Sequence, residues 1–293
     1  MKILVTGAGG FIGKNLIRRL KNKHQIIALE KNRKSTKEFK DDDVRVEEID
    51  LLHNELSPNF LQDTDLVVHL AGNPSSVPEF HTLLLDNVVT TDNVLALCSR
   101  VGIKKFILAS TIDVYGTGGI FSEEDTPRPS NQYGLSKLFA EELCRLYDHN
   151  FGVKSIVLRF ASVYGPDNKK GLFFTLLDGI QKNNCVQLSG TGEQKRNSVY
   201  IDDLVDCIEA VVERCDFRNT EIYNVAGKEI FSLNDAVDIL KKKLNVDFEA
   251  QYVPVGKMED SLLNIRKAKQ KFDWEPKISL KDGVAVMMKN FRL

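Results

Sequence analysis

Short apolar runs alternate with amphipathic stripes through the first half of the chain. Residues 2–6 (KILVT) read as a buried strand, and Phe11, Ile12, Leu16, Ile17 and Leu20 fall on one stripe of a helix over 11–22. Further strands are predicted at 25–29 (QIIAL), 44–49 (VRVEEI), 66–70 (LVVHL), 104–109 (KKFILA) and 154–159 (KSIVLR), with helices at 83–100 and 133–149 between them. A polar loop, KNRKSTKEFKDDD, follows the second strand. Strands alternating with helices predict an α/β fold with a doubly wound parallel sheet. After residue 160 the pattern loosens into helices at 171–183, 201–214, 232–243 and 279–291 and short strands near 186–188 and 222–225. The expectation is a first domain over 1–160 and a smaller α/β lobe over 161–293, packed on and partly interleaved with it.

Composition narrows the class only a little. Of 293 residues, 42% are hydrophobic and 28% charged, with a formal net charge of −1, so nothing draws the chain to nucleic acid or an anionic membrane. No apolar run approaches the ~20 residues that span a bilayer. The N-terminus enters a strand without a signal-peptide pattern. Cys98, Cys144, Cys185, Cys207 and Cys215 are scattered, odd in number and without C-x-x-C spacing, which speaks against metal or disulfide roles and for a cytoplasmic home.

The stretch TGAGGFIG (6–13) places Gly7, Gly10 and Gly13 between the first strand and the first helix. There, backbone N–H groups and the positive helix end receive a pyrophosphate, and glycine keeps the approach open. The second strand ends at Glu30, whose carboxylate suits both hydroxyls of an adenosine ribose and repels a 2′-phosphate, favouring NAD over NADP. Lys31, Arg33 and Lys34 stand nearby and could neutralise such a phosphate, or belong to a solvated loop. Asp50 follows the third strand, facing an adenine or exposed in a loop.

NQYGLSK (131–137) puts Tyr133 and Lys137 one turn apart on one helix face. An ammonium beside a phenol is expected to lower the tyrosine pKa, so that it exchanges protons near neutral pH. Thr111, in ILASTIDVYG (107–116), closes the fifth strand, with its hydroxyl available to a reacting substrate oxygen or to ordinary strand-end hydrogen bonding.

Together these stretches resemble the extended short-chain dehydrogenase/reductase family, the NAD-dependent nucleotide-sugar epimerases and dehydratases, which have a Rossmann-like first domain. The likeness runs over nearly the whole chain. Besides the glycine loop, STIDVYG and YGLSK, it includes HLAG (69–72), DNVVTTDNVL (86–95), LRFASVYGP (158–166), RNSVYIDDL (196–204), IYNVAG (222–227) and FDWEPKISLKDGV (272–284). The resemblance implies NAD contacts from Gly7, Gly10, Phe11, Ile12, Gly13, Glu30, Asp50, Leu51, Leu70, Ala71, Gly72, Asn87 and Ala109. It implies Tyr133 as general acid/base, Lys137 on the nicotinamide ribose and Thr111 on the reacting hydroxyl. For the substrate it implies Asp113, Ser162 (where relatives often carry asparagine), Arg196 on the diphosphate and Lys257 in place of a second arginine. No metal is implied.

The implied activity is nucleotide-sugar epimerisation at C4 through a transient 4-keto sugar, with a homodimer as the assembly and a nucleoside-diphosphate sugar as the partner. The alternative is an NAD(P)H-dependent 4-keto-sugar reductase. Ile112 cannot protonate a leaving hydroxyl, which argues against 4,6-dehydration, and Asp113 is a methylene shorter than the glutamate of the family's decarboxylases. A non-catalytic NAD sensor is a further rival, but would typically have lost the tyrosine or the lysine.

Overall fold

Strand β1 (Lys2–Thr6) lies inside a seven-stranded sheet, paired on both edges, and its Ile3, Leu4 and Val5 are wholly buried. Such an unbroken apolar run is what a strand covered on both faces requires. The computed structural model describes all residues except 40–43, 54–60, 76–78, 245–246, 256–257, 290 and 292–293. From β1 the chain passes through helix α1 (Phe11–Leu20) to β2 (Gln25–Glu30) and then β3 (Val44–Glu48), each parallel to its neighbour. It then crosses back to the other side of β1 with β4 (Leu66–His69) and β5 (Lys105–Thr111), again in parallel. Two more strands, β6 (Lys154–Phe160) and β7 (Glu221–Val225), complete the order β7-β6-β5-β4-β1-β2-β3. The sheet is parallel and Rossmann-like, flanked by helices.

The reversal of strand order between β1 and β4 leaves a crevice beyond their carboxyl ends, the place where ligands bind in such sheets. Thr6 and His69 are register partners at that edge, and Thr111 ends β5.

Two helices matter for the site. Helix α2 (Thr90–Val101) follows a short helical turn (Phe80–Leu83) and a π-helical turn (Leu84–Val89). The helix expected from residue 83 therefore begins at Phe80 and is widened in its second turn, a feature that often marks functional sites. Helix α3 (Gln132–Phe151) starts at Asn131, whose side chain accepts the Gly134 N–H at 2.7 Å as an N-cap, and stops at Gly152 in the left-handed conformation. The loop expected after β2 contains 3-10 helix over Arg33–Phe39.

Contacts divide the chain into two units. The first holds Met1–Gly116, Thr126–Arg159 and Ile208–Tyr223, and the second Thr117–Asp125, Phe160–Cys207 and Asn224–Leu293. Elements of the second part are helices α4 (Leu172–Asn183), α5 (Ile201–Arg214, which ends in the first unit), α6 (Leu233–Leu244), α7 (Arg266–Phe272) and α8 (Leu280–Met288). Short strand pairs join Cys185–Ser189 to Glu249–Val253 and Lys195–Arg196 to Phe231–Ser232. In the second unit buried Asp203 accepts the N–H groups of Lys277 and Ile278 at 2.8 and 3.0 Å, and its carbonyl accepts the Trp274 indole at 3.0 Å. This stitches together YIDDL and WEPKI, two stretches far apart in sequence. Of the described residues, no helix is long and apolar enough to cross a membrane.

Candidate active site

The glycine loop is shaped by contact. Gly7 has φ +66°, and a Cβ there would lie 2.7 Å from the Ala71 nitrogen; at Gly13 it would lie 2.3 Å from the Gly7 carbonyl oxygen. The first glycine permits the turn and the last lets α1 pack against it. At Gly10, the N-cap of α1, the nearest atom to an added Cβ is the Gly7 oxygen at 3.1 Å, and the residue is exposed. An open approach thus leads to the first-turn N–H groups of Phe11 and Ile12, which have no partner within the helix. The opening at Gly10 suits a pyrophosphate.

Glu30 braces the loop. Its Oε2 accepts the Gly9 N–H at 2.8 Å and its Oε1 the Lys31 N–H at 2.9 Å. Each carboxylate oxygen keeps a further lone pair for a ribose hydroxyl. Lys31 pairs with Asp50 at 3.0 Å, so this cation is already matched by an anion. Burial would raise the Asp50 pKa, but the Leu52 N–H and Lys31 prevail and hold it below the usual carboxylate range. Leu51 is buried beside it, while Leu70 and Ala71 are half-buried and Gly72 exposed where the chain leaves β4.

His69 anchors this edge from beneath. Its Nδ1 lies 2.8 Å from Thr6 Oγ1 and its Nε2 3.1 Å from Thr91 Oγ1. The Thr91 hydroxyl donates to the Asn87 carbonyl at 2.6 Å, so Nε2 must carry the proton and Nδ1 accept from Thr6. Thr6 Oγ1 in turn accepts the Ala71 N–H at 3.2 Å. Burial pushes the imidazole pKa down to about 3, with Lys137 adding to the shift, so the ring is neutral at physiological pH.

Asn87 sits in the π-helical turn and is wholly buried. Its Oδ1 accepts the Asn73 N–H at 2.7 Å, and its Nδ2 donates to the Asn73 carbonyl at 3.1 Å and to Ser136 Oγ at 2.9 Å. Every polar atom of the amide is engaged by the protein. The side chain ties the loop after β4 to α3.

Tyr133 and Lys137 occupy the first two turns of α3. The phenol is half-buried and hydrogen-bonded to Thr111; the ammonium is 4% exposed. Thr111 Oγ1 lies 3.0 Å from Asp113 Oδ2 and accepts the Asp113 N–H at 3.2 Å, while Asn131 Nδ2 donates to Asp113 Oδ1 at 3.2 Å. The threonine's single proton serves either the carboxylate or the tyrosine oxygen. The spacing argument had the tyrosine pKa lowered by the lysine. Instead burial raises it, Asp113 raises it further, and only the Thr111 hydrogen bond pulls it down. The Lys137 pKa is itself lowered to about 8 by burial, against the pull of Glu141. At neutral pH the resting pair is a phenol and an ammonium. Ala109, two residues before Thr111, is half-buried.

In the second unit, Arg196 Nη1 donates to the carbonyls of Lys195 and Glu259 at 2.7 and 3.0 Å, and Ser162 is exposed. Lys257 lies outside the described residues. Among the described residues no group of three or more His, Cys, Asp or Glu side chains is arranged to hold a metal. Spacing alone passed over Asn131, Ser136, Glu141 and His69. Asn131 was legible as an N-cap, and Glu141 as the residue one turn beyond Lys137.

A dinucleotide cradle at the switch point, an acidic residue ending β2 and a Tyr-Lys pair beside a strand-end threonine define a nicotinamide-dependent enzyme acting on an alcohol or ketone. The chain belongs to the NAD-dependent epimerase/dehydratase family, whose model matches residues 3–226. It is an NAD-dependent nucleotide-sugar epimerase. It is 33% identical to the uncharacterized UDP-glucose epimerase YtcB of Bacillus subtilis, over 97% of this chain and 96% of that one. Among solved structures, it is similar to the UDP-glucuronic acid 4-epimerase of Bacillus cereus in complex with UDP-glucuronic acid and NAD (TM-score 0.92, 29% identity, 99% and 98% of the two chains covered). It is also similar to the UDP-glucose 4-epimerase of Thermotoga maritima with UDP-glucose (TM-score 0.89, 28% identity, 100% and 99% covered).

Proposed function

We propose that the protein inverts C4 of a UDP-sugar and keeps its NAD throughout the cycle. The observation that carries this reading is that Thr111 and Asp113 act on the Tyr133 phenol, on a helix that buries Lys137 one turn further on. Bound NAD would supply the acceptor and source of the hydride exchanged with the sugar carbon. Gly7, Gly10 and Gly13 with the N–H groups of Phe11 and Ile12 hold its pyrophosphate, and Glu30 its adenosine ribose. The Tyr133 oxygen, once ionised in the active complex with the Lys137 ammonium offsetting its charge, takes the proton of the C4 hydroxyl and gives it back. The Thr111 hydroxyl orients that oxygen, and Lys137 holds the nicotinamide ribose and supplies positive charge. Arg196 and Ser162 bind the diphosphate, Asp113 borders the sugar, and Lys257 is a further candidate for the phosphates. The relatives' UDP-sugars supply the nucleotide in this reading.

The test is incubation of the purified protein with a panel of UDP-sugars, without added cofactor, followed by NMR of sugar stereochemistry. The expected result is interconversion of one C4 pair. Turnover only with added NAD(P)H and a keto-sugar would identify a reductase instead.

The enzyme is proposed to work in the cytoplasm as a homodimer. Phe139 and Leu146, seven residues apart on one face of α3, are 41% and 51% exposed, which suits an apolar face awaiting a twofold mate. Light scattering should give twice the 33.0 kDa chain mass; a single-chain mass would refute the dimer.

A further inference from the structure

A buried ion pair lies directly behind the Tyr-Lys helix. Glu141 and Arg159 are 0% and 1% exposed, and join through two bonds: Nε to Oε1 at 3.0 Å and Nη2 to Oε2 at 2.6 Å. Ser110, the residue before Thr111, donates to Glu141 Oε1 at 2.5 Å. The Arg159 guanidinium lies 4.6 Å from the centre of the Tyr115 ring, just past the turn that carries Asp113. Desolvating two charges is costly, and apolar side chains of similar size often serve stability equally well or better. Stability alone is therefore a poor reason for this pair, and its location suggests another.

Glu141 follows Lys137 by one helical turn and Tyr133 by two, on the same face of α3. Through Ser110 it grips the strand end that presents Thr111, and through Arg159 it grips β6. Resting on the function proposed above, we propose that Glu141 is a positioning residue of the reaction, clamped by Ser110 and Arg159 so that it sets Lys137 and Tyr133 against Thr111. Its charge has a second effect. Lys137 is acted on by Glu141 and Cys144 of its own helix and stands near neutral His69 on β4, one turn from Tyr133, with Asp113 facing Tyr133 from the turn after β5. Burial lowers the Lys137 pKa to about 8, and Glu141 is the largest opposing pull. Without the carboxylate the ammonium is lost at lower pH. The clamp thus supplies both the place and the protonation state of the lysine.

The test compares wild type, Glu141→Gln and the paired Glu141→Met/Arg159→Met variant as NAD-loaded proteins, reading Lys137 by NMR of 13Cε-labelled lysine across pH and kcat over the same range. The expected result is a Lys137 midpoint lower by about one unit in Glu141→Gln. The ratio of wild-type to variant kcat should then grow about fivefold more between pH 6 and pH 8, as the charged fraction of lysine falls. A merely structural lesion would lower kcat by the same factor at every pH. Should Glu141→Gln not fold, the paired variant, which leaves no orphan charge, must still lower the Lys137 midpoint, by less because a cation leaves with the carboxylate. A folded variant with an unmoved Lys137 midpoint overturns the inference whatever its activity. Full turnover in Tyr133→Phe, with the midpoint still moving in Glu141→Gln, would instead overturn the proposed function and leave the clamp standing.

Discussion

Asn87 Nδ2 donates to Ser136 Oγ at 2.9 Å, and Ser136 passes its own proton to the Tyr133 carbonyl at 2.8 Å. The π-helical turn before α2 is thereby bonded to the helix turn that carries the proposed proton carrier. Asn87→Ala would leave the half-buried Asn73 N–H without its acceptor and take from the Ser136 hydroxyl one of its two partners. The expected cost is about 1–3 kcal/mol in urea denaturation. A kcat loss should accompany it while NAD stays bound, because every atom of the amide is spent on protein partners. Loss of NAD binding with unchanged stability would show that Asn87 serves the cofactor instead.

Glu30 braces the glycine loop through Gly9 while keeping lone pairs for a ribose. Glu30→Ala should weaken NAD binding by roughly tenfold or more, since hydrogen bonds to a charged group are lost. NADP, freed of the carboxylate's repulsion, should lose less. The measurement is titration of the cofactor-depleted protein with both dinucleotides. An unchanged preference would remove Glu30 from cofactor choice.

His69 makes a forecast about acid. Its pKa is about 3 in the fold against 6.5 for the free side chain, so between these values the unfolded chain binds more protons than the folded one. Stability from this source is complete above pH 6.5 and falls as pH drops toward 3. At pH 5 the loss is about 2 kcal/mol. His69→Gln should flatten that part of the profile. Parallel urea midpoints for the two proteins between pH 7 and pH 5 would contradict the burial of a neutral imidazole at this edge.

Much of the sheet was legible because buried parallel strands are apolar runs and long helices repeat every three to four residues. Helix α5 occupies the very span its periodicity marks, Ile201–Arg214. The turn over Leu84–Val89 was not legible, since a π turn breaks the 3.6-residue period that betrays a helix. Pairs such as Lys195–Arg196 with Phe231–Ser232 are too short for any alternation. Residues 222–225 read as a strand, but their place beside β6 in the main sheet depends on long-range pairing. At the site, Gly7, Glu30, Thr111, Tyr133 and Lys137 stood out by position. What spacing could not convey was environment. Burial and the Asp113 charge reverse the direction expected for the Tyr133 pKa, and Asn87 turns inward to Ser136.

The account rests on Tyr133 moving the proton of the sugar hydroxyl. Its most direct test is the epimerisation rate of Tyr133→Phe, read by NMR on the UDP-sugar that wild type converts, at matched NAD content. The phenyl ring keeps the packing and removes only the oxygen. The predicted result is a rate lower by roughly 10²–10⁴ with NAD still bound; turnover close to wild type would contradict it.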